Sequence, residues 1–304
     1  MENLQLQTDK IKFRFDRCKI CNGAIKTLKK KTVDGLDLAK CKNCGLEFVK
    51  LMPLSKMWAE DRPGTANDYY SRVYCSQAPP KFHYGLNKIM SYLNSTGKQE
   101  NINRLSLLDV GCGNGEFLLM CKDKGFNITG VEQSYSAAEL CKKRGLNNIH
   151  IKDIGDLEET FDIITLFDVA EHLEDLKAFF KKIHHRLNSD GIVYIEAPRK
   201  SIVDVYLNIL GLVTPIKNNR ITREHVQLFS NKSLHILLKN SRFSIVSFEK
   251  KQSLSWANKK QYIFNLGIKS NIIAKFLEKI ANSAIKLRLM GHNKGIVLAK
   301  KIVE

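Results

Sequence analysis

The chain has 304 residues, a net charge of +18 and a hydrophobic fraction of 43%, enough apolar material for one large α/β domain with a small appendage. No apolar leader or bilayer-length apolar stretch occurs, so the sequence predicts a cytoplasmic protein. Residues 1–104 carry a net +9, residues 105–198 a net −6 and residues 199–304 a net +15. The basic ends favour an anionic partner, whereas solvated lysine-rich faces are the alternative. The net negative charge of residues 105–198 argues against a continuous nucleic-acid-binding surface along the chain.

Two cysteine pairs near the N-terminus predict a metal site. Cys18 and Cys21 form one CxxC pair, Cys41 and Cys44 form the other, and 19 residues separate them. This spacing is typical of a structural Zn²⁺ ion held by four thiolates, which leaves no open coordination position for catalysis. Free thiols and a redox-active CxxC are the alternatives. We therefore predict a zinc ribbon at residues 1–50.

A proline-containing linker is predicted at residues 51–80, and from about residue 81 helices and strands alternate. The strand segments are RLSLLDV, NITGVE, NIHIKD, FDIITLFDV, GIVYIEAP, RFSIVSFEK and GIVLAKKI. Alternation of this kind predicts a Rossmann-like, doubly wound and mostly parallel seven-stranded sheet at residues 81–304. Helical insertions are expected at about 199–230 and 255–292.

A glycine turn follows the first strand of this domain and predicts a cofactor seat. A dinucleotide fingerprint requires its third glycine at position 116, where this chain has Glu116. A carboxylate in the first helical turn repels a pyrophosphate bound there, whereas Asp109 at the strand end suits an ammonium group. A zwitterionic amino-acid cofactor, S-adenosylmethionine, fits both observations.

Carboxylates that follow the next two strands complete this predicted seat. Glu132 ends the second strand, where it can accept hydrogen bonds from both ribose hydroxyls. Asp153 follows the third strand, where it can accept from an adenine amino group while Ile154 packs on the ring.

The motifs D-x-G-C-G-x-G, G-V-E, K-D-I, F-D-V-x-E-H-L and D-G-I-V-Y-I-E-A-P together resemble the class I S-adenosylmethionine-dependent methyltransferases. The resemblance covers about residues 85–304. REHVQLFS resembles a segment of a branch that acts on small molecules, some members of which carry a zinc ribbon. The predicted cofactor-binding residues are Asp109, Gly111, Cys112, Gly113, Gly115, Glu132, Gln133, Asp153, Ile154, Phe167 and Asp168.

The resemblance implies methyl transfer to a small-molecule acceptor such as a sugar, polysaccharide precursor, lipid or secondary metabolite, at oxygen, carbon or nitrogen, and the basic ends of the chain favour an anionic one. A hydroxyl or carbon acid needs a general base, and the candidates at the strand ends are Glu171, His172, Glu196 and His225. Each candidate also has a non-catalytic alternative. Glu171 and His172 would cap the next helix or contact the cofactor, Glu196 would pair with Arg199, and His225 would pack beside Phe229. Tyr69, Tyr70 and Tyr74 are candidate walls of the acceptor pocket.

Residues 271–290 form a predicted amphipathic helix. We expect it to pack between the last two strands, with a lid over the acceptor or a peripheral contact with a membrane surface as alternatives. Two other functions remain open at this point. One is an RNA methyltransferase that grips RNA with the zinc ribbon, and the other is a non-catalytic zinc-ribbon binding protein.

Overall fold

The computed structural model describes residues 11–32, 35–53, 80–202, 204, 220–222, 225–252, 270–286 and 291–303. The predicted linker, with Tyr69, Tyr70 and Tyr74, lies outside these residues apart from its two ends. Large parts of the two predicted insertions also lie outside them.

The strands are β1 Ile11–Arg14, β2 Ile25–Lys31, β3 Asp37–Cys41, β4 Glu47–Val49, β5 Leu51–Pro53, β6 Ser106–Val110, β7 Asn127–Val131, β8 Ile149–His150, β9 Phe161–Phe167, β10 Leu187–Pro198, β11 Gln227–Leu228, β12 Phe243–Lys251 and β13 Lys294–Lys301. The α-helices are α1 Pro80–Ser95, α2 Glu116–Asp123, α3 Tyr135–Lys143, α4 Leu176–Arg186, α5 Asn231–Asn240 and α6 Asn271–Lys286. Short 3₁₀ turns lie at Gln99–Arg104, Ile154–Asp156 and Ala170–His172.

The main sheet has seven strands in the order β12-β13-β10-β9-β6-β7-β8. Every neighbouring pair is parallel except the two that involve β13, which runs antiparallel to both β10 and β12. The prediction of a mostly parallel seven-stranded sheet with Rossmann-like alternation is therefore confirmed. The strand order reverses beside β6, which places a crevice at the carboxyl ends of β6 and β9.

Successive side chains of the central strands point to opposite faces of the sheet and belong to two separate hydrophobic cores. Leu107 and Ile163 belong to the core that contains α1 and α2, whereas Leu108 and Ile164 belong to the core on the other face. All four side chains are at most 1% exposed. These strands are apolar on both faces because helices cover the sheet on both sides.

Polar caps start the helices where the sequence changes from extended to helical. The Ser134 hydroxyl accepts a hydrogen bond from the Ala137 amide at the start of α3, which confirms the predicted cap. Asp175 caps α4 in the same way. Gly145, with a φ of 78°, follows the end of α3, as a left-handed stop residue should.

The cysteine-containing segment packs directly onto the large domain. Strand β11 of the large domain pairs antiparallel with β4, so the small sheet has the order β11-β4-β3-β2. Ile20 and Phe48, both fully buried, lie in the same core cluster as Leu108. Strand β5, at Leu51–Pro53, pairs antiparallel with β1.

Helix α6 leaves part of its apolar face exposed. Ile272, Ile273 and Phe276 are 81%, 51% and 64% exposed. These three side chains face solvent and do not pack against the sheet. The expectation of a core-packing helix is therefore wrong for the N-terminal half of α6. Within the described part of the chain, no helix combines the length and apolar character that a bilayer crossing requires.

Candidate functional site

The predicted glycine turn lies between β6 and α2 and depends on left-handed backbone. Gly111, Gly113 and Gly115 have φ values of 68°, 56° and 77°, a region that glycine enters without steric cost. A Cβ on Gly115 would lie 2.2 Å from Leu146 Cδ1, so the close approach of the turn to the following segment also requires glycine. Cys112 is buried beneath the turn, with its Sγ against the backbone of β7.

Asp109 is buried at the end of β6, directly below this turn. It is 3% exposed and accepts a hydrogen bond of 2.7 Å from Thr165 Oγ1. Burial raises the pKa of Asp109 to about 7, although the Thr165 hydroxyl and Lys81 oppose the shift. A cation placed beside Asp109 would therefore favour its charged form.

The Glu132 carboxylate is held against the glycine turn by two backbone amides. Oε2 accepts from the Gly113 amide at 2.8 Å, and Oε1 accepts from the Ser134 amide at 2.8 Å. Each carboxylate oxygen keeps further acceptor capacity for a ligand. Gln133, next to it, is exposed.

Asp153 has partners that the sequence did not reveal. Its Oδ1 accepts hydrogen bonds from the Gly155 amide at 2.6 Å and from Lys182 Nζ at 2.8 Å. Burial opposes ionisation, but Lys182 and the Gly155 amide outweigh it and lower the pKa of Asp153. Ile154 is 2% exposed and belongs to the core.

Glu116 forms an ion pair that weakens the argument that its charge would repel a bound pyrophosphate. Its carboxylate lies 2.7 Å from the Arg144 guanidinium, which also donates to the Asn114 carbonyl at 2.9 Å. The negative charge in the first turn of α2 is therefore compensated, and it repels an anion less than the sequence alone suggests. The choice of cofactor then depends mainly on Asp109.

Phe167 and Asp168 follow one another at the end of β9 and have different surroundings. Phe167 is 7% exposed, and its ring lies 4.6 to 5.0 Å from the rings of Phe82, Phe117 and Tyr194. Asp168 has a φ of 57°, a left-handed conformation that aspartate adopts more readily than most residues. Phe167 therefore supports the sheet edge from within an aromatic cluster.

Two lysines that sequence reasoning missed pair with Asp168. Lys81 Nζ donates to its Oδ2 at 2.9 Å, and Lys294 Nζ donates to its Oδ1. Burial opposes ionisation of Asp168, but the two ammonium groups outweigh it and hold its pKa below the ordinary value. The lysines start α1 and β13, more than 200 positions apart, and no local pattern marks them.

Glu196, near the end of β10, pairs with Lys294 and not with Arg199. It is 5% exposed, and its Oε1 lies 4.0 Å from Lys294 Nζ. Arg199 instead donates to Asn231 Oδ1 at 2.7 Å. Burial, followed by the charge of Asp168, raises the pKa of Glu196.

The other three candidate bases lie together. One carboxylate oxygen of Glu171 and one ring nitrogen each of His172 and His225 lie within 4.8 Å of one another. The two imidazole rings meet edge to face with centroids 4.6 Å apart, so His225 packs on His172. Burial, followed by the charge of Asp168, raises the pKa of Glu171 to about 8.

The four predicted metal-ligating cysteines also form one cluster. The Sγ atoms of Cys18 and Cys44 lie 3.5 Å apart, as do those of Cys21 and Cys41, and all four lie within 4.8 Å of one another. Tetrahedral thiolates about 2.3 Å from zinc are separated by similar distances. The donor set therefore fits a Zn²⁺ ion.

The backbone of the two cysteine pairs repeats one hydrogen-bond pattern. The Cys18 amide donates to the Gly23 carbonyl and the Cys41 amide donates to the Leu46 carbonyl, five positions on in each case. A residue with positive φ follows each pair, Asn22 at 55° and Gly45 at 75°. Both turns are therefore knuckles of the same kind, and asparagine and glycine are the residues that tolerate this conformation.

Comparison with known proteins identifies the large domain. Residues 81–247 match the family described as "Methyltransferase domain". The chain is 27% identical over 124 residues to a ubiquinone biosynthesis O-methyltransferase of Rickettsia canadensis (strain McKiel), covering 38% of this chain and 50% of that protein. It is 33% identical over 101 residues to pavine N-methyltransferase of Thalictrum flavum subsp. glaucum, covering 30% of this chain and 28% of that protein.

A solved structure shares the fold. The magnesium protoporphyrin IX methyltransferase of Synechocystis PCC 6803, with bound SAH, superimposes with a TM-score of 0.50 and 14% identity, covering 78% of this chain and 94% of that one. The chain spans about half the length of the first of the two relatives, so the likeness concerns the domain. Since the family match covers more than half of the chain and includes the glycine turn and the five parallel strands β6 to β10, the protein belongs to the methyltransferase-domain family.

Proposed function

We propose that this protein transfers the methyl group of S-adenosylmethionine to a small-molecule acceptor. The observation that carries the proposal is the buried Asp109 beneath a turn of three left-handed glycines, in a chain of the methyltransferase-domain family. A buried carboxylate with a raised pKa favours a cationic partner, and the amino-acid end of the cofactor supplies an ammonium group.

The remaining predicted residues would hold the rest of the cofactor. The methionine part lies along the Gly111–Gly115 turn, and the ribose hydroxyls donate to Glu132, whose orientation is already fixed by two amides. The adenine lies beside Ile154, with its amino group directed to Asp153. Gln133, Cys112, Phe167 and Asp168 border this space.

Methyl transfer from a sulfonium is an in-line displacement, so the enzyme mainly aligns the acceptor and excludes water. Glu196 is suited to accept a proton from the acceptor because burial raises its pKa. Lys81 and Lys294, which come from the basic parts of the chain, border the same crevice and support an anionic acceptor.

The named relatives include an O- and an N-methyltransferase of small molecules. This range supports a small-molecule acceptor without selecting the acceptor atom. Neither the RNA methyltransferase nor the non-catalytic binding protein considered from the sequence is favoured by these relatives.

Calorimetry with S-adenosylhomocysteine tests the cofactor assignment. We expect wild type to bind, and Glu132→Ala to weaken binding by about tenfold or more, because two hydrogen bonds to a charged carboxylate are lost. Glu139→Ala, on the outer face of α3, is the matched control and should bind as wild type does. Absence of binding by wild type would falsify the proposed function.

The pH dependence of the same binding tests the role of Asp109. In the unliganded protein this carboxyl ionises at a pKa of about 7, and a bound ammonium group lowers that pKa. The attraction is therefore present above pH 7 and is lost as the pH falls. Affinity should rise by up to about tenfold per pH unit from pH 5 to 7 and then level off. Asp109→Asn should bind weakly with a flat profile; an equal slope in both proteins would contradict the assignment.

We also propose that the four-cysteine cluster holds one structural Zn²⁺ ion within a zinc ribbon. Metal analysis should give about one zinc per chain less for Cys41→Ala than for wild type, because three thiolates bind zinc less tightly than four. Cys121→Ala, which removes a buried thiol of α2 outside the cluster, is the control and should keep full zinc. Full zinc content in Cys41→Ala would refute the ribbon.

The exposed part of α6 supports a peripheral contact of this enzyme with the cytoplasmic face of a membrane. Ile272, Ile273 and Phe276 are exposed, and the exposed Lys275 and Lys279 belong to the same helix. Wild type should therefore sediment with anionic vesicles, and Phe276→Asp should lose most of that binding. Asn271→Asp introduces the same charge change at the start of the helix and should keep it. Equal loss in both variants, or no sedimentation of wild type, would count against the contact.

A further inference from the structure

A cluster outside the four cysteines brings together side chains with metal-binding chemistry. Glu171 and His172 lie in the 3₁₀ turn that follows β9, and His225 lies two positions before β11. We propose that Glu171, His172 and His225 bind one divalent first-row metal ion, at a second site distinct from the cysteine cluster.

The arrangement of the three side chains suits a single ion. The carboxylate oxygen and the two ring nitrogens lie within 4.8 Å of one another. An ion about 2.0–2.2 Å from each donor holds the donors about 3 to 4 Å apart, so binding requires only a small inward movement. The two rings are in edge-to-face contact, so the histidines are already close to each other without a bound ion.

Glu171 provides a second and independent observation. Its side chain is 1% exposed, and among the described residues no hydrogen-bond donor contacts its Oε2. A carboxylate oxygen that is buried without a partner is costly. A bound cation would satisfy this oxygen.

The backbone on both sides of the cluster is fixed before any ion binds. The Val226 amide donates to the Glu171 carbonyl at 2.9 Å, and Gln227 Nε2 donates to the carbonyls of Ala170 and Leu173. These bonds join the segment that carries His225 to the turn that carries the other two ligands. Prior fixation of this kind reduces the entropy lost when a ligand binds.

The donor types determine which ions fit each of the two clusters. Two imidazoles and one carboxylate accept Mn²⁺, Co²⁺, Ni²⁺ or Zn²⁺, whereas four thiolates select softer ions such as Zn²⁺ and bind Mn²⁺ poorly. Mn²⁺ therefore reports on the second site alone once the cysteines hold zinc.

Three protein donors leave coordination positions for other oxygen atoms. In the proposed methyltransferase reaction, an oxygen of the acceptor can occupy one of them, and a bound hydroxyl group has a lowered pKa. This consequence rests on the proposed function, whereas metal binding itself does not.

Titration with Mn²⁺, followed by the loss of the free-ion electron paramagnetic resonance signal, tests the site. Full-length protein prepared with one equivalent of zinc should bind one further Mn²⁺ per chain, and a second equivalent of zinc should displace it. Glu171→Gln and His225→Ala should each weaken Mn²⁺ binding by about tenfold or more. His185→Ala, which removes an exposed histidine of α4, should bind as wild type does.

Two results would overturn the proposal: no Mn²⁺ binding by wild type at millimolar concentration, or binding that survives both ligand variants. Thermal unfolding of each variant checks its fold, and His225→Ala provides a second ligand variant should the buried Glu171→Gln fail to fold. Calorimetry with S-adenosylhomocysteine on the same samples reports on the proposed function separately. Cofactor binding without Mn²⁺ binding would reject the metal site and keep the methyltransferase assignment.

Discussion

The pairing of β11 with β4 joins the cysteine segment to the large domain and fixes the turn after β9. It is only two residues long, but Gln227 within it is fully buried and its side chain holds the turn after β9 through two backbone carbonyls. Lys19 of the cysteine segment donates to the Leu173 and Glu174 carbonyls of the same turn. The cysteine segment is thus part of the wall that orients Glu171, His172 and His225. Zinc at the cysteines would stabilise this wall from a distance.

Buried acidic groups along one edge of the sheet govern the chemistry of the crevice. Asp109, Glu171 and Glu196 are each at most 5% exposed, and burial raises the pKa of all three. Asp168 is the exception because two ammonium groups keep it ionised. An excess of buried carboxyl groups favours positively charged ligands. The ammonium and sulfonium of the proposed cofactor and the proposed metal ion are all of that kind.

The proposed functions of the two metal clusters differ because their donors differ. With Zn²⁺ bound, four thiolates complete a tetrahedron and leave no position for a substrate, so the proposed zinc would have a structural role. Two imidazoles and a carboxylate would leave positions open on a bound ion, which the acceptor of the proposed reaction would be able to occupy. The same strand pairing joins the segments that carry the two clusters.

The sequence by itself determined the features that are encoded locally. These features are the spacing of the cysteine pairs, the glycines after Asp109 and the alternation of apolar strands and helices. Each depends on residues close together in the chain, so it can be recognised from the sequence alone. Only the tertiary structure decided the contacts between distant segments. These are the pairing of β11 with β4, the antiparallel β13, the lysine partners of Asp168, the Arg144 partner of Glu116 and the contact of His172 with His225. These contacts join residues that are distant in sequence, and no periodicity or spacing records which distant surfaces will pack together. The exposure of α6 belongs to the same group, because an amphipathic pattern predicts an apolar face but not what covers it.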